Sequence, residues 1–174
     1  MKNVLKYLLI TFLFLNTSYA LAEQKIVILD LKLLLNNSKA GSGAQNFLKK
    51  SYAKNVKKFT GVEKNLKKEE VDLLKKKTIL SKEEYKKKSD ELRKKVIAYQ
   101  SERRAAFDNI SSQRSKSRDI LIKKINPILN TYMKENNITL VIDKKNVLGG
   151  IPDINITTFI MKRLDKELPS LNLK

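Results

Sequence analysis

Cysteine and histidine are both absent from this 174-residue sequence, and the two gaps remove much of the chemistry a chain of this size can carry. Without cysteine there is no disulfide to brace the fold and no thiolate nucleophile. Without histidine there is no imidazole base and no common nitrogen ligand for a metal ion. Proline and glycine are sparse, at three and five residues, so little interrupts regular structure. Long apolar runs are missing too: the run Tyr7 to Leu15 is too short to span a bilayer.

Carboxylates remain, but most sit among lysines on solvated helical faces, where nothing raises a carboxylate pKa. Asp30 and Asp143 each end an apolar run and read as turn formers rather than as a catalytic or metal pair. Gly41-Ser-Gly43 lacks the lysine–serine pair that completes a phosphate loop. On these grounds the sequence reads as a non-enzyme, with no cofactor and no metal expected.

Positive charge is what the sequence has in excess. Lysine and arginine number 37 against 18 aspartates and glutamates, a formal charge of +19. Residues 1–22 have the three parts of a secretory signal peptide: Lys2 and Lys6 at the start, the apolar run, and the small-x-small site Ala20-Leu-Ala22. Cleavage there removes two lysines, so the chain from Glu23 carries +17 on 152 residues. An exported, cysteine-free chain of this kind relies on packing or on assembly, and its surplus attracts polyanions, acidic polypeptides or anionic lipid headgroups. Export also removes nucleic acid as a partner.

Residues 44–125 form one long basic stretch that reads as a helical hairpin. Apolar residues recur at sevens on both sides of a break near Ser81: Tyr52, Phe59, Leu66, Leu73 and Leu80 outward, then Tyr85, Leu92, Tyr99 and Ala106 on the return. The accompanying seam positions run Val56, Glu63, Glu70, Lys77 outward and Ser89, Val96, Arg103, Ile110 back, so the seam thins toward the turn. Ser81-Lys-Glu-Glu84 is a capping-box sequence that starts the return helix, expected from Lys82 to about Met133. The outward helix is expected over 44–77, and Pro127 is expected to kink the return helix or loosen its last turns. The basic runs Lys67-Lys68, Lys75-Lys76-Lys77, Lys86-Lys87-Lys88 and Arg93-Lys94-Lys95 lie in this hairpin. Residues 49–118 hold 23 basic and 10 acidic side chains, and the runs are the candidate binding surface. Phe47 and Phe107 lie beside the seam at its root and are candidates to face another subunit.

The two ends, 23–43 and 126–174, are expected to form a base into which the hairpin is inserted. Ile26, Val27, Ile28 and Leu29 read as a strand buried on both faces, and Ile138 to Asp143, with Leu140 and Ile142, as a second strand. Asp30 can cap a short helix from Leu31, and Asn36 to Gly43, rich in turn and breaker residues, reads as the elbow between base and hairpin. Val147 to Ile154 reads as a short edge strand, a glycine turn and a return. Thr157 reads as the cap of a last helix, Thr158 to Leu168, with Pro169 stopping it.

These pieces resemble the Skp family of periplasmic chaperones, also called OmpH-like. The residues that carry the resemblance are KIVILD at 25–30 followed by LKLLLNNSKAG, the strand and turn NITLVIDKKNVLGG at 137–150, and INITTFIMKRLDKEL at 154–168. The family commonly has D-I-T where this chain has Asn155-Ile-Thr157. The resemblance implies an α+β fold: a small β-barrel base shared in a homotrimer, with one long antiparallel helical hairpin, or tentacle, per subunit. It also implies ATP-independent holding of unfolded outer-membrane proteins in the periplasm, within a basic cavity. Ile26, Val27, Ile28, Leu29, Leu140 and Ile142 would then belong to the trimer base. Anionic lipid or lipopolysaccharide is a further partner implied for the family, though the low-complexity hairpin offers no residue-by-residue match to that cluster. The competing reading is an exported basic coiled coil that ties the envelope together by binding anionic lipid or cell-wall polymer.

Overall fold

The structure, a computed structural model, describes residues 24–173; the signal segment expected at 1–22 lies outside them. The β-branched run near the N-terminus extends as strand β1 (Lys25–Leu29), which pairs in parallel with β2 (Ile138–Asp143). Parallel strands need a long crossover, and here the helical region between them provides it. Helix α1 (Leu31–Asn37) leads into α2 (Lys39–Lys75), a turn follows at 76–80, and α3 (Lys82–Glu135) returns to β2. After β2 come two 3-10 turns and helix α4 (Thr157–Glu167). At 1.5 Å per residue α2 is roughly 55 Å long and α3 roughly 80 Å. Among the described residues no helix is long and apolar enough to cross a membrane.

The core lies where α1, α4 and the last turns of α3 close over the sheet. Leu34, Ile160 and Leu164 are fully buried, and Val27, Leu29, Ala40, Leu121, Ile125, Ile128, Ile138 and Ile156 surround them. Polar groups fasten the ends of these elements. Asp30 accepts from the Leu33 amide at 2.8 Å to start α1, and Asp165 of α4 accepts from the Lys39 amide at 2.6 Å, placing a carboxylate at the positive end of α2. The strand-end acids therefore serve as caps: Asp143 likewise accepts from the Lys145 amide at 3.3 Å.

Four expectations change at this level. The elbow expected over Asn36 to Gly43 narrows to one residue. Ser38, fully buried, both ends α1 and caps α2 through a 3.2 Å bond from the Gly41 amide, so a single residue makes the joint. Gly41 and Gly43 are helical. Gly41 permits the close approach of α1, because a Cβ there would run into the Leu35 carbonyl. Second, β1 is not buried on both faces: Val27, Ile28 and Leu29 are covered, but Ile26 is 42% exposed and its ladder partner Leu140 is 49% exposed. Third, Val147 to Ile154 forms no strand. Pro152 opens a 3-10 turn, and the only addition to the sheet in the described residues is a bridge between Ile28 and Asn155.

Fourth, α4 begins at Thr157 behind Ile156, because the Thr157 hydroxyl is engaged elsewhere. It accepts from the Asp30 amide at 2.8 Å and donates to Asn155 Oδ1 at 2.6 Å, which ties the end of β1 to the start of α4. Helix α3 also runs on through Pro127 to Glu135. Pro127 faces solvent, as does Lys123, whose carbonyl loses its partner, and water can satisfy it.

The glycines separate packing from propensity. Gly41→Ala should cost about 1–3 kcal/mol through overpacking. Gly43→Ala, with nothing within 4 Å of the added methyl, should stabilise by about 0.5–1 kcal/mol. Urea unfolding of the two variants checks both signs.

Candidate functional site

The hairpin is where charge and exposed apolar surface coincide, and its geometry follows from how little of its seam is covered. Apolar residues every seventh position bring α2 and α3 together. Phe59 and Ile110 are buried, at 3% and 8% exposure, yet no described residue between them is buried. Leu66, Leu73, Leu80, Tyr85, Leu92 and Tyr99 are all half-buried, because Glu63, Glu70 and Ser89 stand where a packed coiled coil would place aliphatic residues.

Below that wetted stretch a run of rings braces the root. Tyr52 and Phe107 have centroids 5.3 Å apart, Phe107 and Phe59 6.1 Å, and Phe59 and Tyr99 6.0 Å. Phe107 is thus part of the protomer's own seam. Phe47 is half-buried. At the far end the turn is closed by the capping box: the Ser81 hydroxyl accepts from the Glu84 amide at 3.2 Å while Glu84 accepts from the Ser81 amide at 3.2 Å. The Ser81 amide, and then the Ser81 hydroxyl at 3.0 Å, donate to the Glu84 carboxylate, which favours its ionised form and holds its pKa below the ordinary value.

The two broad faces of the hairpin differ. On one, a groove of about 730 Å³ runs between the helices, with Leu66, Leu73, Leu92 and Val96 along it and Lys67 and Arg93 beside it. Tyr99 lies in the same groove and donates to Glu63 at 3.3 Å. Partial desolvation, then the Glu63 charge and this bond, hold its phenol above the usual 10.0. On the other face the helices are stitched by Lys95–Glu69 at 2.6 Å and Lys58–Glu102 at 3.5 Å, with Lys76, Lys88, Asp72 and Glu91 in the shallow spaces between.

This arrangement can bind by charge and by weak apolar contact. Among the described residues no group of acids, histidines and cysteines is placed to hold a metal.

The residues from 25 to 164 match the model of a known family, described as outer membrane protein (OmpH-like). The chain belongs to the OmpH-like family. A crystal structure of a protein from Caulobacter crescentus CB15, described as an OmpH-like outer membrane chaperone, aligns with it at a TM-score of 0.78. The alignment covers 91% of this chain and 94% of that one at 18% identity, which makes the likeness one of fold. No curated protein matches the chain.

In this OmpH-like chain the eleven basic residues singled out from the sequence are all exposed, but they do not share one face. Consecutive helical residues are about 100° apart, so each run is splayed. Lys67 and Arg93 line the open groove, while Lys76, Lys88 and Lys95 line the ion-paired face. Lys68, Lys75, Lys87 and Lys94 each stand two residues beyond a seam residue and point away from the partner helix. Lys77 is in the turn and Lys86 in the first turns of α3.

Of the six base residues, Val27 and Leu29 belong to the protomer's core and Ile28 is buried. Ile142 is half-buried, and only Ile26 and Leu140 stand open. Leu74 and Ile97, 56% and 59% exposed at the open groove, were not anticipated. The signal for them was present as aliphatic residues set one position off the seam register, at Leu73 plus one and Val96 plus one.

Proposed function

We propose that this chain is an ATP-independent holdase of the periplasm, exported by the signal segment at 1–22. It takes up unfolded outer-membrane β-barrel proteins between basic hairpins and keeps them from aggregating before membrane insertion. The observation that carries the reading is a hairpin fixed at its root and wetted along its seam, bearing 23 basic against 10 acidic side chains over residues 49–118. Such a surface draws in acidic unfolded chains and grips them through many weak contacts, whose sum gives avidity without a tight pocket.

The same reading makes the protein a homotrimer through its base. A two-stranded sheet is marginal alone, and here its Ile26–Leu140 pair is open to solvent, with Leu148 and Ile151 also exposed nearby in sequence. Strands contributed by two further copies would cover that pair and close the free edge of β2. Three hairpins would then surround a common space. Anionic lipid or lipopolysaccharide remains the competing polyanion, as in an envelope tether.

Dilution of a urea-unfolded outer-membrane β-barrel protein into the mature chain tests the holding step by light scattering. Suppression near one trimer per client is expected, with client affinity falling as salt rises from low to physiological levels. No suppression, alongside binding to anionic vesicles or cell-wall polymer, supports the tether instead. For assembly, Ile26→Asp with Leu140→Asp should convert a trimer to monomers in sedimentation velocity, while helical content by circular dichroism stays close to that of the parent.

A further inference from the structure

We infer that the two broad faces of the hairpin have different occupants: the open, groove-bearing face meets the unfolded acidic client, and the ion-paired face is turned away from it. This rests on the holding reading above and assigns a side to it.

Between residues 53 and 110, setting aside Ile79 in the turn, the exposed large apolar residues are Val56, Val71, Leu74 and Ile97. Leu74 and Ile97 line the groove. Val71 lies four residues beyond Lys67 and three before Leu74, and Val56 lies seven before Glu63, so helical spacing puts both on that same side. The spaces on the ion-paired side are also lined by large apolar residues, Phe59, Val62, Leu66 and Tyr99, but these are buried or half-buried, and none of the exposed large apolar residues lines them.

Ion pairing divides the same way. Lys95 and Lys58 are answered by Glu69 and Glu102 across the helices, and Asp72 and Glu91 alternate with Lys76 and Lys88. That side is already self-satisfied. On the open side Lys67 and Arg93 make no ion pair; of the two acids that line the groove with them, Glu63 is engaged by Tyr99 and Glu70 pairs with neither cation. Unanswered cations beside exposed aliphatic side chains and a long apolar groove suit one ligand chemistry: an extended polypeptide whose acidic side chains meet Lys67 and Arg93 while its apolar ones lie in the groove.

The absence of cysteine allows a direct test. Single cysteines at Leu74→Cys and Ile97→Cys on the open side, and at Asp72→Cys and Ala98→Cys on the other, carry a photoreactive label in the otherwise intact mature protein. A urea-unfolded acidic outer-membrane β-barrel protein is the probe. Several-fold more cross-linked product from the first pair is expected, and equal yields from all four overturn the assignment. In the unlabelled protein, Leu74→Ser with Ile97→Ser should weaken client binding about tenfold, as loss of two apolar contacts implies. Ala98→Ser with Ala105→Ser should leave it unchanged.

All these positions are exposed, and circular dichroism of each variant checks that the helices persist. If the parent protein suppresses aggregation but the faces behave alike, only the face assignment fails. If the parent does not suppress aggregation, the holding reading fails and takes this inference with it. Protection of the Ile97→Cys thiol by anionic vesicles, with none from the unfolded chain, likewise overturns the assignment and points to lipid.

Discussion

A helical hairpin with a seam wetted over most of its length keeps its direction only where something clamps it. Here the clamp is the packing of Leu34, Leu48, Ile125, Ile160 and Leu164, all at or near full burial. Helix α1 closes on α2 through Ser38 and Gly41, α4 closes on α1 and α3, and Asp165 holds the first amide of α2. Everything farther out depends on that anchorage. Without it, the aromatic run from Tyr52 to Tyr99 and two exposed ion pairs would be left to hold α2 and α3 together. Exposed pairs contribute little.

The functional consequence is a gradient. Burial at the root gives the arms a fixed origin, while half-covered leucines toward Ser81 let the two helices shift against each other at little cost. Incomplete packing, which would be a defect in a core, here leaves a groove and exposed aliphatic side chains available to another chain. Under the proposed holding role, the charge that keeps such a surface soluble is also the charge that would recruit an acidic partner.

Much of this was readable from the residues, and the failures have physical causes. Heptad spacing located the seam and Ser81-Lys-Glu-Glu84 located the return helix, because both are local signals that tertiary packing reinforces. Composition failed at Asn36 to Gly43, where breaker residues became helical once Ser38 supplied a cap and Gly41 a close approach. It failed again at Val147 to Ile154, where Pro152 opens a 3-10 turn and the sheet gains only the bridge from Ile28 to Asn155. Thr157 was read as the cap of the last helix, whereas its hydroxyl accepts from the Asp30 amide, a contact that spans most of the chain and leaves no local signal. The proposed binding surface was the hardest to read. Lysine runs are conspicuous along a sequence, yet a helix scatters them around its axis, and the faces differ through isolated residues such as Leu74, Ile97, Glu69 and Glu102.

The central claim, an arm fixed at its root and compliant where it meets its client, is tested most directly by hydrogen exchange along the mature protein with and without an unfolded outer-membrane β-barrel protein. Amides of residues 60–109 should exchange faster than those of 31–48 and 110–133, and they should be the ones that gain protection when the client is added. Uniform protection along both helices, or client-induced protection confined to the base, would contradict the account.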